Sequence, residues 1–387
     1  MNIQSTVSKD SIQVIHLVRS LAIVSVLALH LKFVLPAPGP SEKWLWDWIT
    51  SEGGGVSMFL VVSGFLITRI LDSGPGGLFR PSWKNFYAGR VGRIIPLFLV
   101  HVSGGLLFLF GLIYFFNEWS PLFSFLFKLP RGEFAGSYWI SIFTFSLNWV
   151  NVFQVEKWQF IGLYWGILWS LSVEEQFYFL YPFFLRWVCS TRRLGWVLAA
   201  LAAFCFLMKF DFLSEGWSAS TRNSVQNNFT CYGEIATGAL LYLACRSFRT
   251  QLLVKRGWCL FFSAAGMGLI LASFYPHYFG HDRLKGIVIG AGTFLFLLGA
   301  LHLSEFESPW FKVFTLPGKY SYAAYLFHIG ILFCVQPFLV DKDPFFALIF
   351  FVVLTTAFSF VVYQVFEFPM NNLVRGWFKV ALKRKET

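Results

Sequence analysis

The chain has 387 residues, of which 56% are hydrophobic and only 13% charged, with a formal net charge of +11. Soluble domains carry about 25% charged residues, so this composition excludes an ordinary soluble globular protein and makes lipid the main solvent. The positive balance does not point to nucleic acid, because excess Lys and Arg in a membrane chain mark its cytoplasmic loops.

Ten apolar runs are long enough to cross a hydrocarbon core of about 30 Å as helices. They lie near 14–35, 53–71, 93–116, 166–188, 194–212, 228–246, 257–274, 284–303, 320–340 and 345–366. The runs are continuous rather than alternating, which favours helices over a transmembrane barrel. The first run carries Arg19 and His30 and no clean cleavage site follows it, so it reads as a retained span and not a signal peptide. Many of the 49 Phe and 16 Trp sit near the ends of these runs, where aromatic rings favour the interface. The Cys residues are scattered, without CxxC spacing, and read as small buried hydrophobes.

Basic clusters set the orientation. Arg69, Arg80, Lys84, Arg90 and Arg93 form one, Arg186, Arg192 and Arg193 a second, and Arg246, Arg249, Lys255 and Arg256 a third. Arg375, Lys379, Lys383, Arg384 and Lys385 close the chain. Ten spans with both termini in the cytoplasm place all four inside. The semi-apolar stretch 137–153 would reverse that if it crossed fully, so it reads as re-entrant or interfacial. It belongs to a Trp-rich external cap over 117–165. The expected fold is all-α, a polytopic transmembrane bundle forming one domain over 1–387. Its core is 14–370, and 371–387 is a cytoplasmic basic tail.

Ionisable groups inside spans cost a few kcal/mol each on insertion scales, so each needs a reason. Arg19 and His30 are eleven positions apart, which returns them to within about 20° of one helix face, about 16 Å apart along the axis. A cation at the cytoplasmic mouth and a proton-transfer group further in suit a long anionic donor with a reactive end, such as an acyl-CoA. The plainer alternative is a snorkelling Arg19 and a satisfied interfacial His30.

Glu174, within Trp169–Tyr178, falls at a depth similar to His30. A buried carboxylate beside an imidazole raises its basicity and fixes its tautomer, as a general base requires. Glu174 and Glu175 differ by 100° on a helix, so only one is expected to reach the histidine; the alternative is a structural contact between helices. Arg90 and Arg93 share a face ahead of Pro96 and suit a phosphate clamp, or are ordinary cytoplasmic charge. Ser63, in Val62–Thr68, has no base near it in sequence and reads as a small packing residue. Ser321, Tyr325 and His328 share a face and either bond substrate or link helices. Glu367 ends the last span where it can pair with basic residues, Glu234 is a further buried carboxylate, and His101 reads as structural. No HExxH, Walker A or GxSxG motif occurs and no metal site is expected.

Together these pieces resemble the acyltransferase 3 family of integral membrane acyltransferases. The carriers are Arg19-x10-His30, Met58–Ile67, Arg90-x-x-Arg93 before Pro96, Trp169–Tyr178, Tyr320–His328 and Glu367-x-Pro369. They match in order and spacing over roughly 14–370. The resemblance implies transfer of an acyl group, usually acetyl, from cytoplasmic acyl-CoA to hydroxyls of carbohydrates or glycoconjugates. It implies Arg19 and His30 as the essential pair, with His30 catalytic. It implies Arg90 and Arg93 in donor handling, Glu174 and Ser172 within the serine-rich motif, and Ser321, Tyr325, His328 and Glu367 as substrate or structural support. Two departures stand out. The acidic residue usual before the Phe pair of the second span is absent from Gly55–Phe59. The soluble second transferase domain of some members is not expected here.

The expected enzyme is thus an O-acyltransferase of a bacterial cytoplasmic membrane, in contact with lipid, an acyl-CoA donor and a glycan acceptor, with no permanently bound cofactor. The rival expectation is a transporter or flippase of a polysaccharide precursor or small anion, in which the buried His, Glu and Arg serve as coupling groups.

Overall fold

The computed structural model describes residues 9–51, 54–116, 133–153, 162–210, 218–247, 255–275, 284–303 and 309–383. Among them every regular element is helical. In chain order these are Lys9–Lys32 (α1), Lys43–Ile49 (α2), Gly54–Ser73 (α3), Trp83–Phe116 (α4), Glu133–Phe143 (α5), Leu147–Phe153 (α6), Leu163–Gly166 (α7) and Leu168–Val188 (α8). Thr191–Leu207 (α9), Ala219–Ser247 (α10), Arg256–Ser273 (α11), Lys285–Ala300 (α12), Pro309–Lys319 (α13), Ser321–Leu339 (α14), Pro344–Val362 (α15) and Phe368–Lys383 (α16) follow.

Six stretches are long and apolar enough to cross a membrane, one of them combining α2 and α3 across residues 52–53, which lie outside the described residues. These are Ile12–Lys32, Lys43–Ser73, Trp83–Phe108, Arg256–Ser273, Ser321–Leu339 and Pro344–Trp377. α12 is a shorter apolar helix, and α8, α9 and α10 lie where the sequence places further spans. The ten expected spans therefore go beyond the six that meet this measure. Large apolar side chains such as Leu107, Phe110, Phe338, Ile349 and Val353 face outward, as lipid-facing positions require and water-facing ones do not.

Local chemistry sets the helix ends. α15 starts at Asp343, whose carboxylate accepts from the Phe346 N–H at 2.8 Å, with Pro344 in its first turn. α8 ends at Cys189 in the left-handed region, φ 53°. Between α5 and α6 the chain breaks at Phe145, φ 52°. The freed Phe145 carbonyl accepts from Gln176 Nε2 at 2.6 Å, so the break is held from α8. At 1.5 Å per residue, α5 reaches only about 16 Å, short of a span.

Packing is organised around α1 and α3. One apolar core joins α3 to α8, α9 and α10 through Ile67, Val173, Leu198 and Ile235. A second joins α1 and α3 to α11 and α12 through Ala22, Met58, Ile270 and Leu297. A third joins α1 to α2, α14 and α15 through Leu27, Trp46, Leu332 and Phe351. α3 and α10 cross closely: Gly64 lies against the Ile235 carbonyl, and Gly238 against the Val61 carbonyl. A Cβ at either position would sit inside that contact, so the backbones meet only because both residues are glycine. α15 runs into α16 through a π-helical turn, Tyr363–Glu367.

Candidate functional site

α1, α3, α4, α8 and α14 converge on a cavity of about 890 Å³, counting the part open to solvent. α1 contributes Arg19, and α4 contributes Arg90 and Arg93. α8 contributes Ser170, Glu174, Glu175 and Tyr178, and α14 contributes Ser321, Tyr322 and Tyr325. α3 supplies Ser63 within an apolar wall that includes Phe59 and Leu66.

Neutral side chains hold two of the charged groups. The Glu174 carboxylate accepts from the Ser63 hydroxyl on α3 and the Tyr178 hydroxyl one turn along α8. The Arg90 guanidinium stands 3.9 Å over the Tyr178 ring, a cation–π contact that fixes its position. Arg19 feels Arg93, Glu174 and Glu367 electrostatically. Glu367 in turn faces Arg93 and Arg19 from the π-helical turn, with 8% of its surface exposed. Two polar atoms at this cavity are buried without a partner: Glu175 Oε1 and Ser321 Oγ. Such orphans are costly in a packed interior and mark polar positions that a ligand can satisfy.

Tyr325 divides this cavity from a second polar centre. Its hydroxyl lies 2.8 Å from the Ile167 carbonyl and 2.6 Å from Ser170 Oγ, and the two hydroxyls share that carbonyl as acceptor. Its backbone carbonyl accepts from His328 Nδ1 at 2.7 Å. The Phe59 ring closes the same level, 6.3 Å from the Tyr325 ring. Beyond it, His328 Nε2 meets His30 Nδ1 at 3.0 Å, with ring centroids 4.8 Å apart. His30 Nδ1 also lies 2.9 Å from the Val26 carbonyl.

Several expectations need correction. His30 was expected to meet Glu174, but its imidazole meets His328, and Glu174 is occupied by Ser63 and Tyr178. The physical reason is reach: Tyr325 and Ser170 fill the space between α8 and the histidine pair. Only one of Glu174 and Glu175 was expected to reach the histidine; both border the arginine cavity instead. Ser172 turns back to the Leu168 carbonyl at 3.0 Å and lies outside the cavity. Arg19, Arg90, Arg93, Ser321 and Tyr325 do share one cavity, while His30 and His328 sit together outside its lining. The Ser63–Glu174 contact and the histidine pair were missed because each joins residues far apart in sequence. His101 is stacked on Tyr164 at 4.4 Å in an aromatic surround with Trp165 and Phe327. Among the described residues no group of three or more His, Cys, Asp or Glu is arranged to hold a metal ion.

Comparison with known proteins bears on what such a site does. The sequence model of the family described as "acyltransferase domain" matches residues 12–364. The peptidoglycan O-acetyltransferase OatA of Listeria monocytogenes is 26% identical over 343 residues, covering 84% of this chain and 50% of that protein. The putative peptidoglycan O-acetyltransferase YrhL of Bacillus subtilis is 27% identical over 203 residues, 51% of this chain and 28% of that one. A putative O-acetyltransferase of Staphylococcus aureus is 23% identical over 374 residues, 92% of this chain and 56% of that one. The chain thus spans about half the length, or less, of these relatives. No solved structure matches.

Proposed function

The chain belongs to the acyltransferase 3 family and is an acyltransferase, and from that premise we propose that it is a membrane O-acyltransferase using acyl-CoA, with acetyl the group carried. The acceptor is a hydroxyl of a carbohydrate or glycoconjugate, the class of molecule named in two of its relatives. The protein resides in a bacterial cytoplasmic membrane with ten spans and both termini inside. The broken helices α5 and α6 belong to an external, partly re-entrant cap.

The observation that carries this reading is the placement of Arg19, Arg90 and Arg93 around one cavity that ends at Tyr325, with a histidine pair directly beyond it. Guanidinium groups are matched to phosphates, and acyl-CoA is a polyanion with its thioester at the far end of a long arm. The donor lies with its phosphates on the arginines and its arm directed past Phe59 and Tyr325 toward His30. Glu174, held by Ser63 and Tyr178, together with Glu175 and Glu367, offsets the arginine charge so that an empty cavity is not left with unbalanced cations in a low-dielectric interior. His30 then deprotonates the acceptor hydroxyl or takes the acyl group itself. In either route acyl-CoA and an alcohol become an ester and free CoA, the hydroxyl proton being returned to the departing thiolate.

The test is acyl transfer from radiolabelled acyl-CoA to a glycan by the purified protein in detergent. His30→Ala is expected to abolish transfer, and transfer that survives it overturns the assignment. Rapid quenching without acceptor separates the routes: label on His30 identifies the covalent one, and its absence the general-base one.

A further inference from the structure

Building on that reading, we propose that His328 is a positioning residue: it holds His30 as the Nδ1–H tautomer, frees Nε2 of His30 to react, and shares the positive charge that reaction places on the ring.

The argument is one of donors and acceptors. A carbonyl oxygen only accepts. His328 Nδ1 lies 2.7 Å from the Tyr325 carbonyl, so it carries a proton. A neutral His328 then presents a bare lone pair at Nε2, and that lone pair faces His30 Nδ1 at 3.0 Å. His30 Nδ1 is also 2.9 Å from the Val26 carbonyl. Were His30 protonated on Nε2 alone, three lone pairs would converge with no hydrogen among them. With the proton on Nδ1, one N–H is shared by the Val26 oxygen and His328 Nε2, and these three atoms are satisfied. His30 Nε2 then has no hydrogen bond among the described residues, and the residue is only half-buried, which leaves that nitrogen open to substrate.

Val26 alone does not account for this arrangement. Its carbonyl already accepts the backbone N–H of His30 within α1, and a carbonyl cannot take up a proton. His328 Nε2 can. When His30 Nε2 gains a proton or an acyl group, its Nδ1–H becomes more acidic and the bond to His328 tightens. The charge then spreads over two rings. This is the office a carboxylate performs in a Ser-His-Asp triad, filled by a neutral group that avoids burying a permanent anion in the apolar interior. The other titratable groups near the pair are His101, which reaches His328 electrostatically from α4, and Tyr325, whose ring is 5.8 Å from the His328 ring on the same helix. From α1, Arg19 lies about 16 Å away along the helix.

Two substitutions and one spectrum test the inference. His328→Ala is expected to lower kcat by about a hundredfold, with KM for acyl-CoA changed less than about twofold because the arginine cavity is untouched. Without the partner, protonated His30 is destabilised, so the acidic limb of the kcat/KM–pH profile moves to lower pH. His328→Gln, which restores an acceptor but not a base, is expected to recover part of kcat while leaving that limb displaced. In the unaltered protein, 15N spectra of imidazole-labelled histidine, assigned by loss of signals in His30→Gln, are expected to show Nδ1 of His30 protonated and Nε2 bare. An unchanged kcat and acidic limb in His328→Ala overturn the inference, as does an Nε2–H signal for His30 in the unaltered protein. The spectrum decides the matter if the Ala variant fails to fold. Transfer lost in His30→Ala but unaffected in His328→Ala defeats this inference alone, whereas transfer surviving in His30→Ala defeats the function on which it rests.

Discussion

The Ser63 hydroxyl on α3 donates to the Glu174 carboxylate on α8, across 111 positions of sequence. Tyr178 donates to the same carboxylate oxygen. This small centre ties two helices together at the arginine cavity, and it makes the two donors partly redundant. A hydrogen bond to a charged group contributes about 1.5–3 kcal/mol, and each 1.4 kcal/mol or so is tenfold. Ser63→Ala, which leaves Tyr178 in place, is expected to reduce kcat/KM by about tenfold. Glu174→Gln removes the anion that both hydroxyls and the arginines address, and is expected to reduce it further. Steady-state assays in detergent check the order: a larger loss in Ser63→Ala than in Glu174→Gln contradicts it.

Arg90 is held over the Tyr178 ring, a stacking that a planar guanidinium makes and a lysine ammonium does not reproduce. Arg90→Lys keeps the charge but loses the fork and the stack. It is expected to raise KM for acyl-CoA by about tenfold with a smaller effect on kcat. The KM of the unaltered enzyme should also rise with ionic strength, since the cavity is open to solvent and its phosphate contacts are screened by salt. A variant with reduced kcat and unchanged KM would place Arg90 outside donor binding.

Gly64 and Gly238 set the crossing of α3 and α10. Gly64→Val forces a side chain into the Ile235 carbonyl, and overpacking of this kind costs about 1–3 kcal/mol or more. Thermal unfolding in detergent is expected to occur at a clearly lower temperature for Gly64→Val and Gly238→Ala. Gly104→Ala is the control, because nothing lies within 4 Å of its added carbon; an equal loss there would show that the effect is not one of close approach.

At the far end of α1, Lys32 and Lys43 both pair with Asp47, at 3.0 and 2.7 Å. Both lysines retain solvent contact, with 38% and 59% of their side chains exposed, and surface pairs contribute about 0–1 kcal/mol. Asp47→Asn is therefore expected to leave transfer activity unchanged and to shift the unfolding temperature only slightly. A severe loss of activity would assign the triad a role in acceptor handling.

The helical, membrane-embedded character of the chain was legible because apolar length is a local property of the sequence. The arginine cavity was also partly legible: Arg19, Arg90 and Arg93 are costly residues in or beside apolar runs, and cost is readable without a structure. What escaped was partnership. Helical spacing placed Arg19 and His30 on one face of α1, but it said nothing of which neighbour α14 would bring. The depth argument that joined His30 to Glu174 used the rise along each helix and ignored rotation and the bulk of Tyr325. Ser63 read as a packing residue because its hydrogen-bond partner, Glu174, lies on another helix. Its neighbour Gly64 shows that packing explains one face of α3, while Ser63 serves another.

The π-helical turn Tyr363–Glu367 has a consequence for how tolerant the chain is of change in length. A π turn holds one residue more than an α turn, so it works as an insertion absorbed without leaving the helix. Deleting one residue from this stretch would remove the surplus and restore ordinary α geometry, with the helix beyond it keeping nearly its present rotation. The face of α16 that packs Asn371 and Val374 against Gly92 would stay where it is. A single-codon deletion here should therefore be tolerated better than one within α15, which has no spare residue and would turn everything after it by about 100°.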